Sequence, residues 1–79
     1  MKEYNIMLNS IDKVKSFVSM INGFNVQADL HAGSYAIDAQ SILGIFTLNL
    51  TKPLTLKLRS IYPEKDLSEF ESKLEYYII

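Results

Sequence analysis

The sequence predicts an α+β open-faced sandwich, a four-stranded antiparallel sheet covered on one face by three helices in the order βαββαβα. Three observations lead there. The segments "YNIML", "NVQADL", "YAIDA" and "LTLKL" alternate apolar and polar residues with the period of half-buried strands. Two longer segments and one short apolar run carry helical spacing. The chain has 79 residues, enough for a single domain over 1–79, and a domain of this size buries only somewhat more than ~60% of the surface its unfolded chain exposes. One core must therefore take the apolar face of every strand and the apolar stripe of every helix, which an antiparallel sheet with helices on one side achieves.

The elements follow in order. Tyr4, Ile6 and Leu8 alternate with Asn5 and Met7 in the first strand. From Ile11 the spacing changes to Ile11, Val14, Val18 and Ile21, with Phe17 widening the stripe; Ser10 or Asn9 supplies the cap and Asn22-Gly23 the stop. Val26, Ala28 and Leu30 define a second strand and Tyr35, Ile37 and Ala39 a third, with "HAGS" as the turn of a hairpin that places His31 at its tip. A short apolar helix follows Ser41, and "TKP" breaks it from a fourth strand carrying Leu54, Leu56 and Leu58. Asp66 and Glu69 have the spacing of a capping box ahead of Leu67, Phe70, Leu74 and Ile78, which predicts a closing helix through "EYYII". That terminal run is either the last turn closing the core, the favoured reading, or a sticky tail in a dimer.

Composition removes several classes of function. Eight Lys and Arg against nine Asp and Glu give a net charge of −1, which supplies no electrostatic footprint for nucleic acid or for an anionic membrane. No cysteine is present, so disulfides, thiolate metal sites and thiol nucleophiles are excluded. A metal site and a cofactor are not expected, because one histidine cannot build a metal site alone. No stretch approaches the ~20 apolar residues of a membrane span, and "MKEYNIML" lacks the longer apolar region of a signal peptide. The expected location is therefore the cytoplasm, and the "NLT" sequon at 49–51 is expected to be chance. Nothing pairs a nucleophile with a base or gathers carboxylates around a pocket, so an enzyme is not expected.

The stretch "AQSILGIFTLNL", residues 39–50, carries the candidate site. Ser41 is a preferred N-cap whose oxygen can accept from the amide of Leu43 or Gly44, and the same hydroxyl can be a modification site. The run behind it is apolar on too many sides for one buried stripe, and Gly44 weakens it as a helix by ~1 kcal/mol. Ile42, Ile45 and Leu48 can make an inward face, which leaves Leu43, Phe46 and Leu50 either as an exposed patch for a partner or as packing under the final helix. His31 has no basic partner or helix N-terminus beside it in sequence, and Asp12 reads as a first-turn complement to the helix dipole.

The order of elements together with "AIDAQSILGIFTL" resembles HPr, the phosphocarrier of the bacterial sugar phosphotransferase system, whose pattern here is a strand, a basic residue, then Ser-Ile-Met-Gly-Val-Met-Ser-Leu. The resemblance spans nearly the whole chain in element order and is specific over about residues 36 to 48. It implies an HPr-like open-faced β-sandwich, with Ser41 aligned to the serine that a dedicated ATP-dependent kinase phosphorylates. Ile42, Leu43 and Phe46 then fall on the helix that docks partners, and Gln40 replaces the basic residue. The other half of the pattern departs: where HPr-like carriers have a Gly-(Ile)-His-Ala-Arg-Pro run, this chain reads "LNSIDKVKS", with no His, Arg or Pro. A phosphoryl carrier needs the neutral imidazole as nucleophile and the arginine fork for the anion. Lys13 or Lys15 could contribute only point charges at that end, to an anion or to a partner.

The expected function is thus an HPr-like regulatory or adaptor protein of the phosphotransferase system, unable to carry phosphohistidine. It would bind an HPr-type kinase or regulator through the helix starting at Ser41, as a monomer or weak dimer. The alternatives are a phosphoryl carrier with an unrecognised acceptor, or an HPr-like structural domain that self-associates through Phe46 and "YYII".

Overall fold

A computed structural model of the chain describes residues 2–79. Strand β1 (Lys2–Ile6) is followed by helix α1 (Ile11–Asn22), the hairpin β2 (Asn25–Ala32) and β3 (Tyr35–Asp38), a single helical turn α2 (Ile42–Ile45), strand β4 (Leu54–Tyr62) and helix α3 (Leu67–Leu74). The strands form one antiparallel sheet in the order β1-β4-β2-β3, so the two longest, β2 and β4, lie in the middle. The predicted architecture is the observed one.

The inner face of the sheet is built by the alternation that the sequence displays. Ile6, Leu54, Leu56, Leu58, Val26, Ala28 and Leu30 are all buried, and Val14, Phe17, Val18 and Ile21 of α1, Ile45 of α2 and Phe70 and Leu74 of α3 close over them. The outer face is polar: the register sets Glu3, Lys57, Asp29 and Asp38 side by side across the four strands. There Lys57 pairs with Glu3 at 4.0 Å and Arg59 with Asp29 at 2.9 Å.

Several boundaries differ from the sequence reading, each for a local reason. Leu8 is buried as expected but lies beyond β1, which ends at Ile6. The hairpin turn is Gly33-Ser34, where Gly33 adopts φ +61°, and so tight a turn lets β2 run on through His31. His31 is therefore not at the tip. Its half-buried side chain lies on the outer face, paired across to Thr55 and Ala36.

Asp66 does not cap α3. A 3₁₀ turn over Glu64–Asp66 starts the helical path one turn earlier at Pro63, and it leaves Asp66 at φ −76°, ψ −10°, whereas a capping residue needs extended backbone. The closing helix also stops at Leu74 and tightens into a 3₁₀ turn over Glu75–Tyr77. That change from a four-residue to a three-residue step turns Tyr77 into the core at 5% exposure and leaves Ile78 extended and 42% exposed.

Candidate docking and modification site

The chain reverses at Asp38 to reach α2. The Asp38 carboxylate accepts from the backbone N–H of Gln40 at 2.8 Å, and its carbonyl accepts from the N–H of Ser41 at 3.0 Å. This aspartate-centred turn sets Ser41 in extended backbone at φ −88°, ψ 94°, from which its hydroxyl oxygen accepts from Gly44 N–H at 3.1 Å. Ser41 is thus the expected cap.

Gly44 has a structural reason that propensity alone does not reveal. A Cβ there would stand 2.8 Å from the Ser41 Oγ and 3.3 Å from the Ile37 Cδ1. The capping hydroxyl and the β3 side chain occupy the space that any other residue needs. Glycine is therefore part of the cap.

The helix behind Ser41 is one turn, shorter than the apolar run suggests. Ile45 is fully buried, Ile42 and Leu48 are half-buried against the core, and Leu50 is half-buried with them. Leu43 is 79% exposed and Phe46 is 41% exposed. The inward triplet is as expected, and Leu43 and Phe46 are the outward pair, while Leu50 does not join them. Ile42, placed by resemblance among the docking residues, offers only part of its surface. The turn packs on α1 and β3, so its outward side continues the helical face of the molecule.

Lys13 and Lys15 leave the first turns of α1 in different directions. Lys13 is half-buried, with its Nζ 5.5 Å from the centre of the Tyr76 ring, and Lys15 is exposed. Among the described residues neither forms an ion pair, and no hydrogen bond joins either to the Ser41 turn. At the start of α1 the cap is Ser10, whose hydroxyl accepts from Lys13 N–H at 3.1 Å. Asp12 is exposed in the first turn, where its charge complements the helix dipole.

One polar cluster was not visible in sequence. On β1, the Tyr4 hydroxyl donates to Glu71 Oε2 at 2.6 Å and the Lys2 ammonium donates to the same oxygen at 3.1 Å. These two donors, Tyr4 first, hold the Glu71 carboxyl below the usual carboxylate range, while burial and the adjoining carboxylate push the Tyr4 phenol up. The cluster ties β1 to α3. Its members stand 67 and 69 positions apart, a separation that no periodicity reports. Among the described residues no group of three His, Asp or Glu could hold a metal ion, and no helix is long and apolar enough to cross a membrane.

A four-stranded antiparallel open sheet with its helices on one face is the architecture of the HPr phosphocarriers, and comparison with known structures bears this out. The chain matches a crystal structure of HPr-C-His from Thermoanaerobacter tengcongensis with a TM-score of 0.72 at 21% identity, over 94% of this chain and 90% of that one. It matches the phosphocarrier protein HPr from Bacillus anthracis str. Ames with a TM-score of 0.69 at 20% identity, over 99% of this chain and 94% of that one. No family model matches the chain, and no curated protein matches it in sequence. The fold is that of HPr.

Proposed function

We propose that this chain is a regulatory or adaptor protein related to the sugar phosphotransferase system, without enzymatic activity and without a phosphohistidine, acting in the cytoplasm. It binds an HPr-type kinase or regulator through the turn that starts at Ser41, and phosphorylation of that serine switches the binding. The observation that carries the reading is the pairing, on one helical turn and its two caps, of an exposed serine hydroxyl with two outward apolar side chains, Leu43 and Phe46. Exposed contiguous apolar surface on a small protein marks a partner site.

The chemistry of the switch is local. A phosphate on Ser41 adds about −1.5 to −2 charges beside the N–H groups of α2, next to the apolar pair that a partner would cover. Such a change alters the docking surface without unfolding the core. The absence of a carrier role is supported by the residues at the start of α1, "LNSIDKVKS", which offer no imidazole. The one histidine, His31, lies on the outer face of the sheet and the helices lie on the other.

Two parallel incubations test this reading, each followed by intact mass. Phosphoenolpyruvate with the first enzyme of the system should leave the mass unchanged, and ATP with the serine kinase should add one acid-stable phosphate that Ser41→Ala abolishes. Acid-labile phosphate from the first incubation would overturn the regulatory reading in favour of a carrier.

A further inference from the structure

The segment after α3 turns back onto the beginning of the chain. The Tyr77 ring meets Phe17 edge-on at 5.4 Å, and its hydroxyl shares a hydrogen bond of 2.7 Å with the Ser16 hydroxyl. Its carbonyl accepts from Met7 N–H at 2.9 Å, and Ile79 N–H donates to the Asn5 carbonyl at 3.2 Å, so that Ile78 bridges Ile6 along the free edge of β1. Outside these, the Tyr76 ring lies under the Lys13 ammonium. Residues 76–79 therefore grip both sides of the connection from Met7 to Ser10, and a shallow recess of about 550 Å³ lined by Ser10, Asp12, Lys13, Ser16, Tyr76 and Tyr77 lies between.

We infer that the segment from Glu75 to Ile79 is a strap that holds the β1–α1 connection and the first turn of α1 in place and withholds Lys13 from an approaching partner. Its inner contacts are of the kind that anchors: a buried ring on the core, one backbone hydrogen bond to the edge strand at Asn5 and one to Met7 just beyond it. Its outer contact is of the kind that exchanges, a cation over a ring that is 70% exposed. Lifting Tyr76 frees the ammonium, and lifting the whole strap frees the connection. The value of Lys13 to a partner rests on the function proposed above; the strap itself does not.

Hydrogen exchange and amine labelling of the full chain test the strap with no partner present. Tyr77→Phe keeps the ring on Phe17 and removes the hydroxyl, and Ser16→Ala removes its partner. Tyr77→Phe loses that one hydrogen bond and should raise exchange at the Met7, Lys13 and Val14 amides about five-fold; Ser16→Ala also loses the bond that its hydroxyl donates to the Lys13 carbonyl at 3.2 Å and should raise it at least as much, and both should leave the amides of β2 and β4 protected. A rise confined to Ile79, or one spread evenly over the sheet, would overturn the strap as a device for that connection. Tyr76→Ala should make Lys13 react several-fold faster with an amine-acylating reagent relative to exposed Lys15; an unchanged ratio would overturn the withholding of Lys13. Because both readouts are made on the free protein, they can fail independently of docking at Ser41.

Discussion

Replacing Leu43 and Ile45 in turn by alanine separates a docking surface from a core within a single helical turn. Leu43 is 79% exposed, so only about a fifth of its surface is out of water. Full burial of a leucine is worth ~1.5 to 3 kcal/mol, and on that scale the truncation should cost at most ~0.6 kcal/mol. Ile45 has no exposure, and truncating a fully buried isoleucine costs ~2 to 5 kcal/mol once the cavity is counted. In a domain of this size 1 kcal/mol moves the melting temperature by ~4 to 8 °C. Leu43→Ala should therefore melt within ~5 °C of the parent and Ile45→Ala at least ~8 °C below it. Calorimetry, or denaturant unfolding with an unchanged slope, gives both values. Should Leu43→Ala prove as costly as Ile45→Ala, the leucine is packed, and the outward pair at the Ser41 turn does not exist.

Four further variants probe the Ser41 turn and the tie between β1 and α3. Ser41→Ala should lose ~1 kcal/mol with the cap, and Ser41→Asp much less because a carboxylate also caps and complements the helix dipole, as unfolding midpoints will report. Gly44→Ala should destabilise although alanine is the better helix former by ~1 kcal/mol, since its Cβ collides with the capping hydroxyl; a stabilised variant would show that Ser41 and Ile37 yield freely. Glu71 has a folded-state pKa below its unfolded one, so its contribution is present above the ordinary carboxylate value and is lost as pH falls through the lowered value. Tyr4→Phe should accordingly be less stable than the parent at neutral pH, with the gap in melting temperature closing on acidification; a gap that is constant with pH would show that the hydroxyl does not act through Glu71.

Much of this molecule was legible from the spacing of its residues. Strand alternation at Val26, Ala28 and Leu30 and at Leu54, Leu56 and Leu58, with helical spacing at Val14, Phe17, Val18 and Ile21, located the core, because burial on one face imposes a period on the chain. The serine cap was legible for a similar reason: Ser41 and Gly44 meet across three positions, and local hydrogen bonding leaves a local signature. The outward placement of Leu43 and Phe46 was legible only as one of two options.

What the sequence by itself determined was the order of the elements, most of their inward positions and the serine that opens α2; Ile11 and Tyr35, which the same spacing put on inward faces, are 63% and 72% exposed. Tertiary structure decided the rest, through where a turn closes, which distant residue a side chain meets and where the helical step changes. His31 is a strand residue because the turn closes at Gly33-Ser34, two positions beyond it. Glu71 is held by Tyr4 and Lys2 from the opposite end of the chain. Tyr77 replaces Ile78 in the core because a 3₁₀ turn lets its carbonyl meet Met7 and its hydroxyl meet Ser16. Periodicity registers which face of an element is apolar; it carries no information about which of two adjacent apolar residues a remote segment will cover, and that choice is made by packing.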